Sequence, residues 1–137
     1  MPPSRADAAA RRASGDHVIG WKLDRGQRGE LLQQFPPKFR NAVADHVTLA
    51  FNAAGDAPLP QETHAEIVGR VDDGAGVEAM IVAIGDTSER PGGGTFHITW
   101  SLADGRKAKE SNDVITKQGW VPFDTPVPIR LHPARFR

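Results

Sequence analysis

THAEIVGRVDDGAGVEAMIVAI, residues 63–84, is the stretch that decides the fold class. Two runs rich in apolar and β-branched residues flank DDGA. A short Asp/Gly connection between two such runs is a hairpin signal, so the runs are antiparallel neighbours. Working back from the hairpin, AAGDAPLPQ (53–61) reads as a loop and DHVTLAF (45–51) as a strand. HVIGWKL (17–23) has the content of a first strand, and Asp24 can cap a helix whose Leu31, Leu32 and Phe35 share one side and which Pro36 and Pro37 end. The segment between that helix and Asp45 is expected to keep helical character through Phe39 and Val43. Working forward, GDTSERPGGG (85–94) reads as a mobile loop, with its glycines a flexible entry to the strand TFHITWSL (95–102). Ser111 or Asn112 can cap a short helix through Lys117 that Gly119 terminates. VPIRLHPARF (127–136) is expected as a closing edge strand, where prolines are tolerated. Hairpins without regular βαβ alternation make the chain α+β.

The chain has 137 residues, enough for one domain that buries about two-thirds of its unfolded surface. Seventeen basic residues balance seventeen acidic ones, so any contact with a polyanion must be local. Cysteine is absent, which removes disulfides, thiolate nucleophiles and thiolate metal sites from consideration. Residues 1–16 are small, polar and basic and are expected to be a disordered leader to a domain spanning 17–137. No apolar run is long enough for a secretion signal or a membrane span, and the cytoplasm is the expected compartment.

In FHITW (96–100), period-two geometry sends His97 and Thr99 to one face and Phe96, Ile98 and Trp100 to the other. HVTL (46–49) repeats the pattern of His, apolar, Thr, apolar in another expected strand. Two imidazoles across a gap could supply the base and the acid that in-line hydrolysis of a phosphodiester needs. A hydroxyl about 7 Å further along each strand face could donate to a phosphate oxygen. No His-x-His or His-Glu-x-x-His spacing suggests a metal. His17, His64 and His132 lack a hydroxyl two residues on and are read as surface residues. Trp100 and Phe51, facing away from the motif side, are read as core.

The paired HVTL and HITW motifs resemble the hallmark of the two-histidine (2H) phosphoesterases. GRKAKESNDVI (105–115) is similar to the segment that follows the second motif in the cyclic phosphodiesterase domain of fungal and plant tRNA ligases. The resemblance covers most of the chain from about residue 17. It implies two pseudo-symmetric lobes of antiparallel sheet with flanking helices around a central cleft. It also implies metal-independent hydrolysis of a 2′,3′-cyclic phosphate, at an RNA or nucleotide end, to a 2′-phosphate. His46 would be the acid, His97 the base, and Thr48 and Thr99 the phosphate grips. Trp21 is a candidate for stacking on a base, and Lys107, Lys109, Ser111 and Asn112 are candidates for substrate contact. No kinase or ligase domain accompanies these motifs, so the expectation is a stand-alone RNA-processing or repair enzyme, monomeric, without cofactor or obligate protein partner. The alternatives are a module that binds RNA ends or nucleotide phosphates without turnover, and a structural domain whose two histidines lie far apart.

Overall fold

A computed structural model describes residues 16–136. Apart from Asp16, the expected leader lies outside the described residues. The fold is α+β: strands β1 (His17–Leu23), β2 (Asn41–Ala42), β3 (His46–Ala53), β4 (His64–Asp72), β5 (Val77–Ala83), β6 (His97–Leu102) and β7 (Val121–Phe136), with helices α1 (Arg25–Gln34) and α2 (Glu110–Gln118). The strands form one antiparallel sheet in the order β2-β6-β5-β4-β7-β1-β3. Among the described residues no helix is long and apolar enough to cross a membrane.

The hairpin read from residues 63–84 is β4–β5, closed by the Asp73 carboxylate, which accepts from the Ala75 and Val77 amides. Asp24 caps α1 as expected, accepting from the Gln27 amide at 3.0 Å. Leu31 is buried, and Leu32 and Phe35 pack against the same core.

Three expectations change. The linking segment is not helical: after the prolines the chain is extended, and β2 pairs with β6 through Asn41–Leu102 and Ala42–Ser101. The Val43 and Ala44 amides continue this pairing onto the Trp100 and Thr99 carbonyls, so the chain leaves β6 just before it joins β1 as β3. β7 is longer than expected and is not a sheet edge. It pairs with β4 over its first part, from Val121 to Arg130, and with β1 from Leu131 to Phe136. Each half therefore has one side free of a ladder, which is how a strand inside the sheet carries Pro122, Pro128 and Pro133 without a lost hydrogen bond. Third, α2 begins at Glu110 with Lys109 at the N-cap position and no side-chain cap, so neither Ser111 nor Asn112 caps it; Gly119 does end it, at φ 70°.

The main core holds Ile19, Trp21, Leu23, Val47, Leu49, Ile67, Met80, Val82, Phe96, Ile98, Trp100, Ile129 and Leu131. A smaller cluster packs Val114 and Ile115 of α2 on Val71, Val77, Ala79 and Ile81. Phe96, just before β6, and Ile98 and Trp100 within it thus face the main core, and the Trp100 indole donates to the Phe35 carbonyl at 2.9 Å. β3 lies close against β1 because Gly20, paired with Thr48, has no side chain; a Cβ there would run into the Val47 carbonyl.

Candidate functional site

His46 and His97 are the first residues of β3 and β6. The chain brings these strands, at or near opposite ends of the sheet order, into contact with each other. His46, Thr48, His97 and Thr99 then line one cavity of about 90 Å³, together with Phe51, Ala108, Lys109 and Asn112. That volume is small beside the roughly 300–1,000 Å³ of a typical organic-ligand site and suits a phosphate-sized group. A larger cavity of about 330 Å³ lies near Lys38, Arg70 and Trp120, but Asp72 and Glu78 neutralise its two cations and it holds no acid–base pair.

The two imidazoles are held alike. His46 Nδ1 is 3.0 Å from the Asp45 carboxylate, and His97 Nδ1 is 2.8 Å from the Thr95 carbonyl. Both partners are acceptors, so each Nδ1 carries the proton and each neutral ring keeps its lone pair on Nε2. Burial lowers the pKa of both histidines from the ordinary value. At His46 the Asp45 carboxylate opposes that shift, whereas Lys22 and Arg25 add to it. At His97 the Thr95 carbonyl opposes it, and the charges of Arg90 and His46 add to it. The Phe136 ring packs edge-on to His46, with centroids 4.8 Å apart.

The two threonines differ. The Thr48 side chain makes no hydrogen bond to another described residue. Thr99 Oγ1 donates to the Ala108 carbonyl at 3.2 Å and lies 2.8 Å from Ser111 Oγ. With that proton committed, Ser111 supplies the proton of the second bond. Ser111 is fully buried and reaches Thr99, not the cavity. Lys109 and Asn112 do line the cavity, while Lys107 does not; its backbone amide donates to Glu110. Arg106 is tied to Asp73 and Glu110. The first amides of α2 are spent on the carbonyls of Lys107, Ala108 and Lys109, so this helix start is no anion site.

Trp21 is not a stacking platform at the cavity. It is 1% exposed, meets Phe96 edge-on at 5.7 Å, and donates from its indole to the Glu62 carbonyl. The aromatic ring at the cavity is Phe51, which is 47% exposed where burial was expected. Register shifts against β1 insert extra residues into β3 around Leu49 and again beyond Ala50, so the alternation that would have buried Phe51 is broken. His64 and His132 are exposed, and His17 is half-buried beside Asp16; none of the three lines the cavity.

Two more residues join the site. Asp45 holds His46, and its own carboxyl is held well below the usual range by hydrogen bonds from Lys22, Arg25 and His46, each outweighed singly by the burial that opposes them. Arg90 donates to the Asn112 side chain at 3.1 Å and lies over the Phe51 ring, 5.4 Å from its centroid. Strand alternation gives no signal for Asp45, because the residue before His46 belongs to the other face of a regular strand. Among the described residues no three His, Asp or Glu side chains converge as metal ligands.

Comparison with known protein families, with characterised proteins and with solved structures finds no match to the chain.

Proposed function

We propose that the protein is a two-histidine phosphoesterase that hydrolyses 2′,3′-cyclic phosphates at RNA or nucleotide ends to 2′-phosphates without a metal. The observation that carries this reading is the matched pair: two imidazoles with Nδ1 tied and Nε2 free, lining one phosphate-sized cavity with two strand threonines. In the reaction, His97 Nε2 takes a proton as a water oxygen attacks phosphorus. The P–O3′ bond breaks, and the departing O3′ takes a proton from His46 Nε2. His97 ends protonated and His46 neutral, and exchange with solvent resets both. Thr48 and Thr99 donate to the non-bridging oxygens, which requires Thr99 to release the Ala108 carbonyl.

The same reading takes the sheet as two lobes. β3, β1 and the end of β7 form one beside α1; β6, β5, β4 and the start of β7 form the other beside α2. The two motifs face each other between them.

The test is hydrolysis of 2′,3′-cyclic AMP in EDTA, with the product identified by phosphorus NMR. A general acid or base contributes about 10²–10⁴-fold, so His46→Ala and His97→Ala should each lose that much while keeping the wild-type circular dichroism. Either variant retaining wild-type turnover would overturn the mechanism. Binding of 2′-AMP without turnover of any cyclic phosphate would replace it with the binding-module reading.

A further inference from the structure

Among the described arginines, Arg90 is set apart by a buried nitrogen that has no partner. Arg25, Arg40, Arg70, Arg106 and Arg130 each meet a carboxylate. Among the described residues Arg28, Arg90 and Arg135 meet none: Arg28 and Arg135 donate to backbone carbonyls, whereas Arg90 donates from Nε to the Gly93 carbonyl at 3.0 Å and from Nη2 to Asn112, and its Nη1 is buried with no partner. A guanidinium cannot shed its proton near neutral pH, so a half-buried one without an anion is a standing cost. The loop is shaped to keep it. Gly92, Gly93 and Gly94 have φ of 86°, 114° and 90°, and a Cβ on Gly94 would sit 2.6 Å from Arg90 Nη2. Arg90, Pro91, Gly92 and Gly93 line a pocket of about 250 Å³ against Leu49, Ala50 and Phe51. Phe51, 47% exposed and with the Arg90 guanidinium over its ring, is the wall that this pocket shares with the two-histidine cavity.

We propose that the pocket between Phe51 and Arg90 is a second substrate subsite, which holds the phosphodiester preceding the cyclic end, so that the preferred substrate is an oligoribonucleotide and not a cyclic mononucleotide. This rests on the proposed cyclic phosphodiesterase reading. The second phosphate supplies an anion beside the guanidinium. The cyclic phosphate itself stays with the histidines.

The experiment compares kcat/KM for 2′,3′-cyclic AMP, for the dinucleotide ApA with a 2′,3′-cyclic phosphate, and for the same dinucleotide with an uncharged methylphosphonate linkage. The wild type should favour the charged dinucleotide about tenfold, the scale of one hydrogen bond to a charged group. The neutral linkage and Arg90→Gln should each remove that preference, and together no more than either alone. Equal kcat/KM for all three substrates, or an Arg90→Gln loss equal on mononucleotide and dinucleotide, would overturn the subsite. If the wild type turns over none of them, the catalytic reading fails by itself, and calorimetry with 2′-phosphorylated ApA against 2′-AMP reads the subsite independently. There, Arg90→Gln should abolish the dinucleotide's advantage in Kd; no advantage in the wild type would sink the subsite.

Discussion

Replacing Asp45 with Asn tests how the fold sets the protonation of His46. The substitution keeps an oxygen acceptor for His46 Nδ1 but removes the negative charge 3.0 Å away. Lys22 and Arg25, each 2.6 Å from that carboxylate, lose their counter-ion and act on His46 unopposed. A hydrogen bond to a charged group is worth about 1.5–3 kcal/mol and a neutral one about 1 kcal/mol, so the protonated ring loses about 0.5–2 kcal/mol of support. At about 1.4 kcal/mol per unit, the pKa of His46 falls by about one more unit. In the proposed reaction His46 is the acid, so its titration sets the alkaline limb of the kcat/KM profile. Asp45→Asn should move that limb down by about one pH unit and lower kcat/KM about tenfold at pH 7.5, while the acid limb, set by His97, stays in place. The assay is the pH–rate profile for 2′,3′-cyclic AMP. An unmoved alkaline limb with a shifted acid limb would reverse the two roles, and a profile identical to wild type would refute the argument that Asp45 tunes the site.

Two further outcomes concern stability. Both histidines have their pKa lowered by burial, so the unfolded chain binds more protons than the folded one from about pH 6.5 downward. Stability is therefore full above that pH and is lost as pH falls toward the folded values; urea denaturation at pH 7.5 and 5.5 should show the drop, His97→Gln should make it smaller, and an equal drop in the variant would contradict the linkage. Glu78 is fully buried, pairs with Arg70 at 3.0 Å, and accepts from Ser101 Oγ at 2.6 Å and the Lys38 amide at 3.1 Å. Glu78→Ala should destabilise by about 3–5 kcal/mol in chemical denaturation, because it leaves Arg70 and two donors unpaired, whereas a loss under 1 kcal/mol would show the network to be dispensable.

The hairpin, the cap at Asp24 and the alternation in FHITW were legible because each is a local pattern with a local cause. The errors came where tertiary pairing overrides such patterns. Two residues of β2 carry no periodicity, and their extended form comes from β6 alone. The prolines of 127–136 imply a sheet edge, but β7 changes partner near Arg130 and is locally an edge along both halves. Phe51 was misplaced by bulges that a strict period of two cannot contain. Trp21 is the opposite case: Ile19, Trp21 and Leu23 share one face, and that alternation alone puts the indole in the core. Asp45 was hidden by the same rule. As the residue before His46 it belongs to the other face of a regular strand, yet Ala44 has φ 44° and β3 starts only at His46, so the carboxylate turns back to its neighbour. Arg90 lies in a loop whose glycines give no sign of what they enclose.

The two motifs are the same in pattern, and what separates them lies just outside the strands. His46 faces a carboxylate kept ionised by Lys22 and Arg25; His97 faces a peptide carbonyl and feels the Arg90 charge. A carboxylate favours the protonated ring and a cation the neutral one. Burial lowers both rings, but only at His46 does a carboxylate oppose it, against Lys22 and Arg25, which is the asymmetry on which the proposed roles of His46 as acid and His97 as base rest. The strands place both histidines on one cavity, and the residues flanking each strand give the two rings different neighbours. The motif alone therefore leaves the direction of proton flow open. In the proposed reaction Asp45 and Arg90 are the groups that would set it, and Arg90, in contact with Phe51 and Asn112, would tie that bias to the proposed second phosphate.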